Sequence, residues 1–213
     1  MSGESAAATL AASSPHDLTE ATEAAIAQAR AGVDRVKARG LSALELLDGY
    51  DEAMAALGNT GDRVDLIAVS HPDGAMRDAA DAAKQSISKV RTDMSLDREL
   101  YDVLASMDVT GFDAQTRHYV ATVLRDFRRS GVDRDDTTRA RVRELQKELV
   151  SIGQDFDRNI RSDTRTVAIV ASALTGLPDD YVRAHPPGED GLVRITTEYP
   201  DYIPFQTYSV DGA

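Results

Sequence analysis

The stretch TTRARVRELQKELVSIGQDFDRNIR, residues 137–161, carries the clearest structural signal in the sequence. Its apolar residues follow one another at steps of three, four, three, four and four positions, and they are Val142, Leu145, Leu149, Ile152, Phe156 and Ile160. This spacing places them on one side of an α-helix. Because long amphipathic helices bury such a stripe against neighbouring helices, the stretch predicts a helix packed into a bundle.

Further helix signals lie on the N-terminal side of this stretch. Ser14 followed by Pro15 predicts the start of a helix that would end at Gly40. Ser42 and Glu45 have the spacing of a capping box at the start of a second helix. Four more helices are predicted over residues 62–70, over residues 73–91, after a cap at Ser95 and after a cap at Asp113. The fold class is therefore mainly α, a multi-helix bundle with long antiparallel helices.

The pattern changes after Ile160, where short strands are predicted. TVAIV (166–170) and LVRITTEYP (192–200) alternate in the manner of strands and would pair as a short two-stranded β element near the C-terminus. Between them, Gly176–Leu177–Pro178 marks a junction, because glycine frees the backbone and proline prevents a strand from continuing. We therefore predict a flexible N-terminal tail (1–14), a helical N-terminal domain (15–164) and a strand-containing segment (165–213).

Composition excludes several classes of partner. The chain has 36 acidic and 24 basic residues among 213, a formal charge of −12. Nucleic acids and anionic membranes attract basic proteins, so we expect neither as a partner. The charge is typical of a soluble surface or, as a sharper alternative, of one that attracts basic peptides. The absence of cysteine excludes disulfides and thiolate zinc sites, and with no signal peptide at the start the predicted location is cytoplasmic.

No residue pattern indicates a complete active site. The sequence contains neither Gly-x-Ser-x-Gly nor a glycine-rich phosphate loop. Residues 133–144 have acids at the first, third and twelfth positions of a calcium loop but lack its glycine, so helix capping by Asp135 or Asp136 is favoured. No histidine has another three or four positions away, as a zinc-binding helix needs, and the histidines are His16, His71, His118 and His185. We predict no catalytic and no metal-binding residues in this chain.

Five segments occur in a recognisable order over about residues 60–210. They are HPDGAMRDAADAAKQSIS (71–88), SLDRELYDVL (95–104), the helical pair over 124–160, ALTGLPDDYV (173–182) and GLVRITTEYPDYIPFQTYS (191–209). In this order they resemble the N-terminal part of the thimet oligopeptidase-like zinc metallopeptidases, a family that includes oligopeptidase A and the bacterial dipeptidyl carboxypeptidases.

The resemblance implies a zinc-dependent enzyme that cleaves short peptides. In that family a His-Glu-x-x-His helix and a further glutamate hold the zinc, and this sequence has no such motif. The resemblance therefore implies that zinc and the peptide substrate belong to the full-length enzyme, and that this chain forms a wall of the substrate channel and is inactive alone. We expect a catalytic half to follow Ala213, and its candidate interface is an exposed apolar face of Val193, Ile195, Ile203 and Phe205. The alternative is a stand-alone acidic helical interaction module without enzymatic activity.

Overall fold

A computed structural model describes residues 12–38 and 40–210, apart from the side chain of Arg161. Residues 1–11 of the predicted tail lie outside the described residues. The elements follow the chain as α1 (Pro15–Lys37), α2 (Ala43–Ser70), α3 (Gly74–Ser95), α4 (Arg98–Ala105), α5 (Ala114–Ser130), α6 (Asp136–Ser162), β1 (Thr166–Val170), a 3-10 turn (Ala171–Leu174), α7 (Asp179–Ala184), β2 (Leu192–Thr196) and α8 (Tyr199–Tyr208). The predicted fold class, mainly helical with a short two-stranded sheet, is confirmed.

The described residues form two compact units that divide within α6. The first unit extends to Gly153, and the second begins at Gln154. The sequence predicts a division after residue 164, where α6 has ended, and this domain boundary stays a prediction. The helices α1 to α5 belong to the first unit, and the strands with α7 and α8 belong to the second.

The first two helices begin where the sequence predicts. The Ser14 hydroxyl accepts a hydrogen bond of 3.2 Å from the backbone N–H of Asp17, and Pro15 occupies the first helical position. At α2, the Ser42 hydroxyl accepts from the N–H of Glu45 at 3.3 Å, and the Glu45 carboxylate accepts from the N–H of Ser42 at 2.7 Å. Each cap satisfies N–H groups that lack a helical partner and contributes about 1 kcal/mol.

The helices α1, α2 and α3 pack against one another and form the core of the first unit. Small residues allow a close approach of α1 and α2, since a Cβ added at Gly32 would lie 3.0 Å from the Cβ of Ala53. Helix α4 contributes to the same core. The fully buried side chains in the first unit include Leu18, Leu57, Val64, Met76 and Leu100. Burial of such side chains supplies most of the stability of a helical unit.

Helix α2 is continuous where the sequence predicts a break. The glycine-containing stretch at residues 57–62 predicts a turn, with a separate helix over residues 62–70, and this prediction is wrong. Arg91 of α3 lies against the stretch, because a Cβ added at Gly61 would be 3.1 Å from its Nη2 atom. The same Nη2 donates a hydrogen bond of 3.2 Å to the carbonyl oxygen of Leu57. Packing against α3 therefore outweighs the low helix propensity of the stretch.

The start of α4 is also shifted from its predicted position. Ser95 is predicted to cap this helix, but it is the last residue of α3, and Asp97 caps α4. The Asp97 carboxylate accepts a hydrogen bond of 3.0 Å from the N–H of Leu100 and forms an ion pair with Lys37 of α1. A carboxylate at this position also complements the helix dipole, which favours aspartate. Asp113 caps α5 as predicted.

The second unit contains the predicted sheet and its own small core. Strands β1 and β2 are antiparallel, with Val167 opposite Ile195 and Ile169 opposite Val193. An isolated hairpin is marginal in water, so the sheet needs an apolar layer against it. That layer and the inner side of the sheet form one cluster, which comprises Leu174, Leu177, Tyr181, Val193 and Ile195.

Residues 197–208 differ from the prediction. The sequence predicts a strand as far as Pro200 and then a turn led by proline, but β2 ends at Thr196 and α8 follows. Pro200 lies in the first turn of α8, where backbone N–H groups have no helical partner, so its missing N–H costs little. Two prolines within ten residues therefore conceal a helix whose position is set by contacts within the second unit.

Candidate functional site

The described residues contain no group of three or more His, Cys, Asp or Glu side chains that could share a metal ion. The histidines make separate local contacts: His16 Nε2 lies 3.4 Å from the Glu20 carboxylate, and His71 Nδ1 accepts a hydrogen bond of 3.1 Å from the N–H of Asp73. Zinc needs three or four converging donors. The zinc implied by the resemblance therefore fits no set of donors among the described residues.

A row of exposed apolar side chains runs along α6. In the first unit, Leu145, Leu149 and Ile152 are 40%, 60% and 62% exposed, and in the second unit Phe156 and Ile160 are both 63% exposed. We call the three side chains of the first unit the α6 stripe. The prediction that these five side chains are buried within a bundle is wrong. The helix itself is confirmed, and so is its capping by Asp135, whose carboxylate accepts a hydrogen bond of 2.8 Å from the N–H of Thr138, the third residue of α6.

The contacts that attach the first part of α6 to the first unit are polar, and they are made by side chains outside the stripe. Arg139 donates a hydrogen bond of 3.4 Å to the carbonyl oxygen of Leu96, and Arg143 Nε lies 3.4 Å from the Asp93 carboxylate. Val150 is half-buried on the same side of the helix. Arg139 and Arg143 thus face their own unit while the stripe faces outward, which is the reverse of the arrangement that amphipathic periodicity predicts.

The four residues predicted to form an exposed interface differ in how far they are exposed to solvent. Val193 and Ile195 are 0% and 3% exposed, because they fill the core of the second unit, so the prediction of an exposed face is wrong for both. Phe205 is half-buried against the same core, and Ile203 is 42% exposed. The docking of a further domain on these residues stays a prediction, with Ile203 its most accessible member.

The glycine of the Gly-Leu-Pro junction is required by its conformation and its surroundings. Gly176 has a φ of +96°, in the left-handed region that favours glycine. A Cβ at this position would overlap the carbonyl oxygen of Tyr208 and lie 2.9 Å from Cγ1 of Val210. The N–H of Val210 also donates a hydrogen bond of 3.1 Å to the carbonyl oxygen of Thr175. The junction thus packs against the end of α8 and the backbone that follows it.

A compact polar cluster connects α7, β2 and α8. His185 Nδ1 lies 2.9 Å from the carbonyl oxygen of Tyr181, and His185 Nε2 lies 3.0 Å from Oδ1 of Asp201. The Tyr181 hydroxyl donates a hydrogen bond of 2.8 Å to the carbonyl oxygen of Asp201, and the Tyr181 and His185 rings stack at 4.2 Å. The spacing of Tyr181 and His185 is visible in the sequence, but α8 was not predicted, so Asp201 was missed.

The cluster shifts the pKa of its carboxyl group. Burial raises the pKa of Asp201, but hydrogen bonds from the Thr196 hydroxyl and the His185 imidazole lower it by more, so that the pKa lies below its ordinary value. The Thr196 hydroxyl donates to Oδ2 at 2.5 Å, and the Thr196 N–H is 3.3 Å from the same oxygen. Asp201 is therefore held as a carboxylate.

Comparison with known proteins finds relatives that are named as peptidases. No protein-family model matches the chain. Saccharolysin of Saccharomyces cerevisiae is 22% identical over 146 residues, which cover 62% of this chain and 20% of saccharolysin. Proteins named mitochondrial intermediate peptidase also match, and two of them serve as examples. That of Chaetomium globosum is 30% identical over 141 residues (64% of this chain, 18% of the relative), and that of Pyricularia oryzae is 26% identical over 179 residues (80% of this chain, 22% of the relative).

This chain is a homologue of the thimet oligopeptidase-like peptidases. The resemblance inferred from the five sequence segments is thus confirmed. The peptidase homologue spans about a fifth of the length of the curated relatives it matches. None of its described helices is long and apolar enough to cross a lipid bilayer.

Proposed function

We propose that this peptidase homologue is the N-terminal, non-catalytic part of a zinc-dependent oligopeptidase that hydrolyses peptide bonds in short peptides. One observation carries the proposal: 62–80% of the chain matches the three peptidases named above, whereas its described residues offer no set of donors for a metal ion. The catalytic half of such an enzyme would hold the zinc and the reacting groups. We also propose a cytoplasmic enzyme, for which the cysteine-free composition is the supporting observation.

The role of this part would be to form one wall of the substrate channel. Its own helices α1 to α3 already share a buried core, so it can present a rigid surface without help from the reacting groups. A wall that narrows the channel admits short peptides and excludes folded proteins. The net charge of −12 would in addition favour peptides with basic residues near the channel entrance.

The proposal assigns an occupant to the α6 stripe, namely a helix of the catalytic half. Side chains spaced by three and four positions fit between those of another amphipathic helix. Monomeric proteins rarely leave a continuous row of large apolar side chains in water. The relatives are about five times longer than their matched part and so contain polypeptide that can cover the row. A second copy of this chain is a poorer occupant, because it would bring together two chains that each carry a formal charge of −12.

An activity assay tests the central claim. The purified chain, supplied with zinc and an internally quenched fluorescent peptide, is expected to give no hydrolysis above the rate without protein, because its sequence has no His-Glu-x-x-His motif to hold a zinc ion that activates water. Saccharolysin assayed in parallel serves as the positive control for peptide and buffer. Hydrolysis by this chain that a metal chelator abolishes would show that the catalytic residues lie within it and would refute the proposal.

A dye-binding experiment tests the α6 stripe. Anilinonaphthalene sulfonate is expected to bind the chain and fluoresce, and the double variant Leu149→Asp/Ile152→Asp should lose most of that fluorescence, because two charges interrupt the apolar row. The matched control is Leu66→Asp on α2, whose side chain is also exposed but lies apart from the stripe, and it should keep the fluorescence.

Sedimentation velocity separates the two occupants of the stripe. The chain is expected to sediment as a monomer at micromolar concentration, with the α6 stripe free. A dimer that Leu149→Asp/Ile152→Asp abolishes and Leu66→Asp preserves would assign the stripe to a second copy instead.

In the dye-binding experiment, equal fluorescence of Leu149→Asp/Ile152→Asp and Leu66→Asp would contradict an accessible stripe.

A further inference from the structure

A cleft of about 530 Å³ lies between α3 and α6 within the first unit. Residues between positions 85 and 93 form its α3 wall, and residues between 143 and 151 form its α6 wall. On each helix they recur at steps of three and four positions, so each helix turns one side towards the cleft. Val150 is the one apolar residue among the described residues that line it. A cleft of this size can hold a small organic molecule, and its polar walls favour a polar one.

The cleft is locally basic, although the whole chain is acidic. Its charged side chains are three cations and two anions, namely Lys89, Arg143, Lys147, Asp93 and Glu144. The three positive and two negative charges give the cleft a formal charge of +1, in a chain with a formal charge of −12. Exposed charges more than about 8–10 Å away are largely screened at physiological salt, so the charges of the cleft itself decide which ions it attracts.

A single carboxylate is shared by two of the cations. Lys89 Nζ lies 2.9 Å from Oδ2 of Asp93, and Arg143 Nε lies 3.4 Å from Oδ1 of the same residue. Because Asp93 has one negative charge, this group of three side chains keeps a formal charge of +1. Arg143 and Asp93 are half-buried, where charges interact more strongly than in bulk water. The guanidinium approaches Asp93 through Nε, and the fork of its terminal amino groups matches carboxylate and phosphate oxygens.

The α6 wall provides a second cation one turn after Arg143. Lys147 lines the cleft and forms no ion pair with another of the described residues, and the same holds for Glu144. The Lys147 ammonium has three N–H donors, all of which a ligand can use. The opposite wall contributes the hydroxyl groups of Ser88 and Thr92, which are further donors.

We propose that the cleft between α3 and α6 binds a small organic oxyanion, a molecule that carries a carboxylate or a phosphate group. Arg143 and Lys147 contact the oxyanion from α6, and Lys89 contacts it from α3. The hydroxyl groups of α3 bind the polar remainder of the molecule. Glu144 repels the oxyanion and limits its affinity, because its carboxylate has no cation of its own.

A nuclear magnetic resonance titration tests the site with two probes. Inorganic phosphate and glutarate are added separately to the nitrogen-15-labelled chain at constant ionic strength, so that screening stays the same. Saturable shifts are expected for the backbone amides of residues 85–93 and 143–151. The dissociation constant should lie in the millimolar range, because partly exposed charges each contribute little. Tighter binding of phosphate would assign the cleft to phosphate-bearing molecules, and tighter binding of glutarate would assign it to carboxylates.

Two substitutions on α6 should change the affinity in opposite directions. Lys147→Gln removes a cation and should weaken binding of the tighter probe about threefold, whereas Glu144→Gln removes a repelling carboxylate and should strengthen it about threefold. Both side chains are exposed, so the fold should be unaffected. The matched control is Lys84→Gln, which makes the same charge change at a lysine of α3 that pairs with Asp65 at 3.0 Å and does not line the cleft. It should bind the probe as wild type does.

Several results of these titrations would overturn the proposal. Shifts that fail to saturate with either probe, or that spread evenly over the amides near all basic residues, would show that the cleft is not a site. Equal affinities of Lys147→Gln and Lys84→Gln, or a Glu144→Gln variant that binds no more tightly than wild type, would exclude the assigned contacts. These measurements involve no peptide hydrolysis, so the cleft and the proposed peptidase role can fail independently.

Discussion

Replacing Gly176 by alanine is expected to destabilise the second unit by about 2–4 kcal/mol. Two costs contribute. The backbone at this position has a φ of +96°, where a Cβ is strained, and that Cβ would overlap the Tyr208 carbonyl oxygen. The neighbouring backbone cannot move aside easily, because the hydrogen bond from Val210 to Thr175 fixes it. The substitution should therefore separate the end of α8 from the junction.

The matched control for this substitution is Gly191→Ala. Gly191 also has a positive φ, of +73°, but an added Cβ would meet no atom within 4 Å. Its expected cost is the backbone strain alone, about 1–2 kcal/mol. Native-state hydrogen exchange across residues 166–210 measures both losses on the same unit. Equal losses in the two variants would show that the close contact at Gly176 does not exist in solution.

Replacing Leu57 by alanine is expected to destabilise the first unit by about 2–5 kcal/mol, as is typical for a buried leucine. The Leu57 side chain is 0% exposed and lies in the cluster to which α1, α2, α3 and α4 contribute. Its removal leaves a cavity between several helices, which no single side chain can fill. The backbone carbonyl that accepts from Arg91 stays in place, so the loss reports packing alone.

Urea denaturation followed by circular dichroism measures this effect. The control is Leu66→Ala, the same substitution on the same helix at a side chain that is 59% exposed. It should change the free energy of unfolding by less than about 0.5 kcal/mol. Equal losses in the free energy of unfolding for Leu57→Ala and Leu66→Ala would show that the side of α2 that carries Leu57 does not pack against the other helices.

Features decided by neighbouring residues could be predicted from the sequence. The starts of α1, α2 and α5 follow from Ser14, Ser42 and Asp113, because a capping side chain acts on an N–H group two or three residues away. The strand at residues 166–170 was predicted in the same way, from alternation over five residues. The peptidase resemblance needed only the order of short segments, and the comparisons confirm it.

Features decided by distant residues could not be predicted in this way. The α6 stripe shows how periodicity gives the position of a side chain on its helix without showing whether a partner is present. The burial of Val193 and Ile195 could not be predicted, because the cluster that buries them includes Leu174 and Leu177, about twenty residues earlier in the chain. The contact of His185 with Asp201 depends on α8, a helix hidden by two prolines.

The continuity of α2 has a consequence for the order in which the first unit acquires its structure. Its glycine-containing middle is a poor helix former, and the contact with Arg91 of α3 supports it. The two ends of α2 can therefore form early as separate nuclei, whereas the middle closes only when α3 docks. We therefore expect an encounter between α2 and α3 to limit the folding of this region, and the middle of α2 to be the last part of the helix to form.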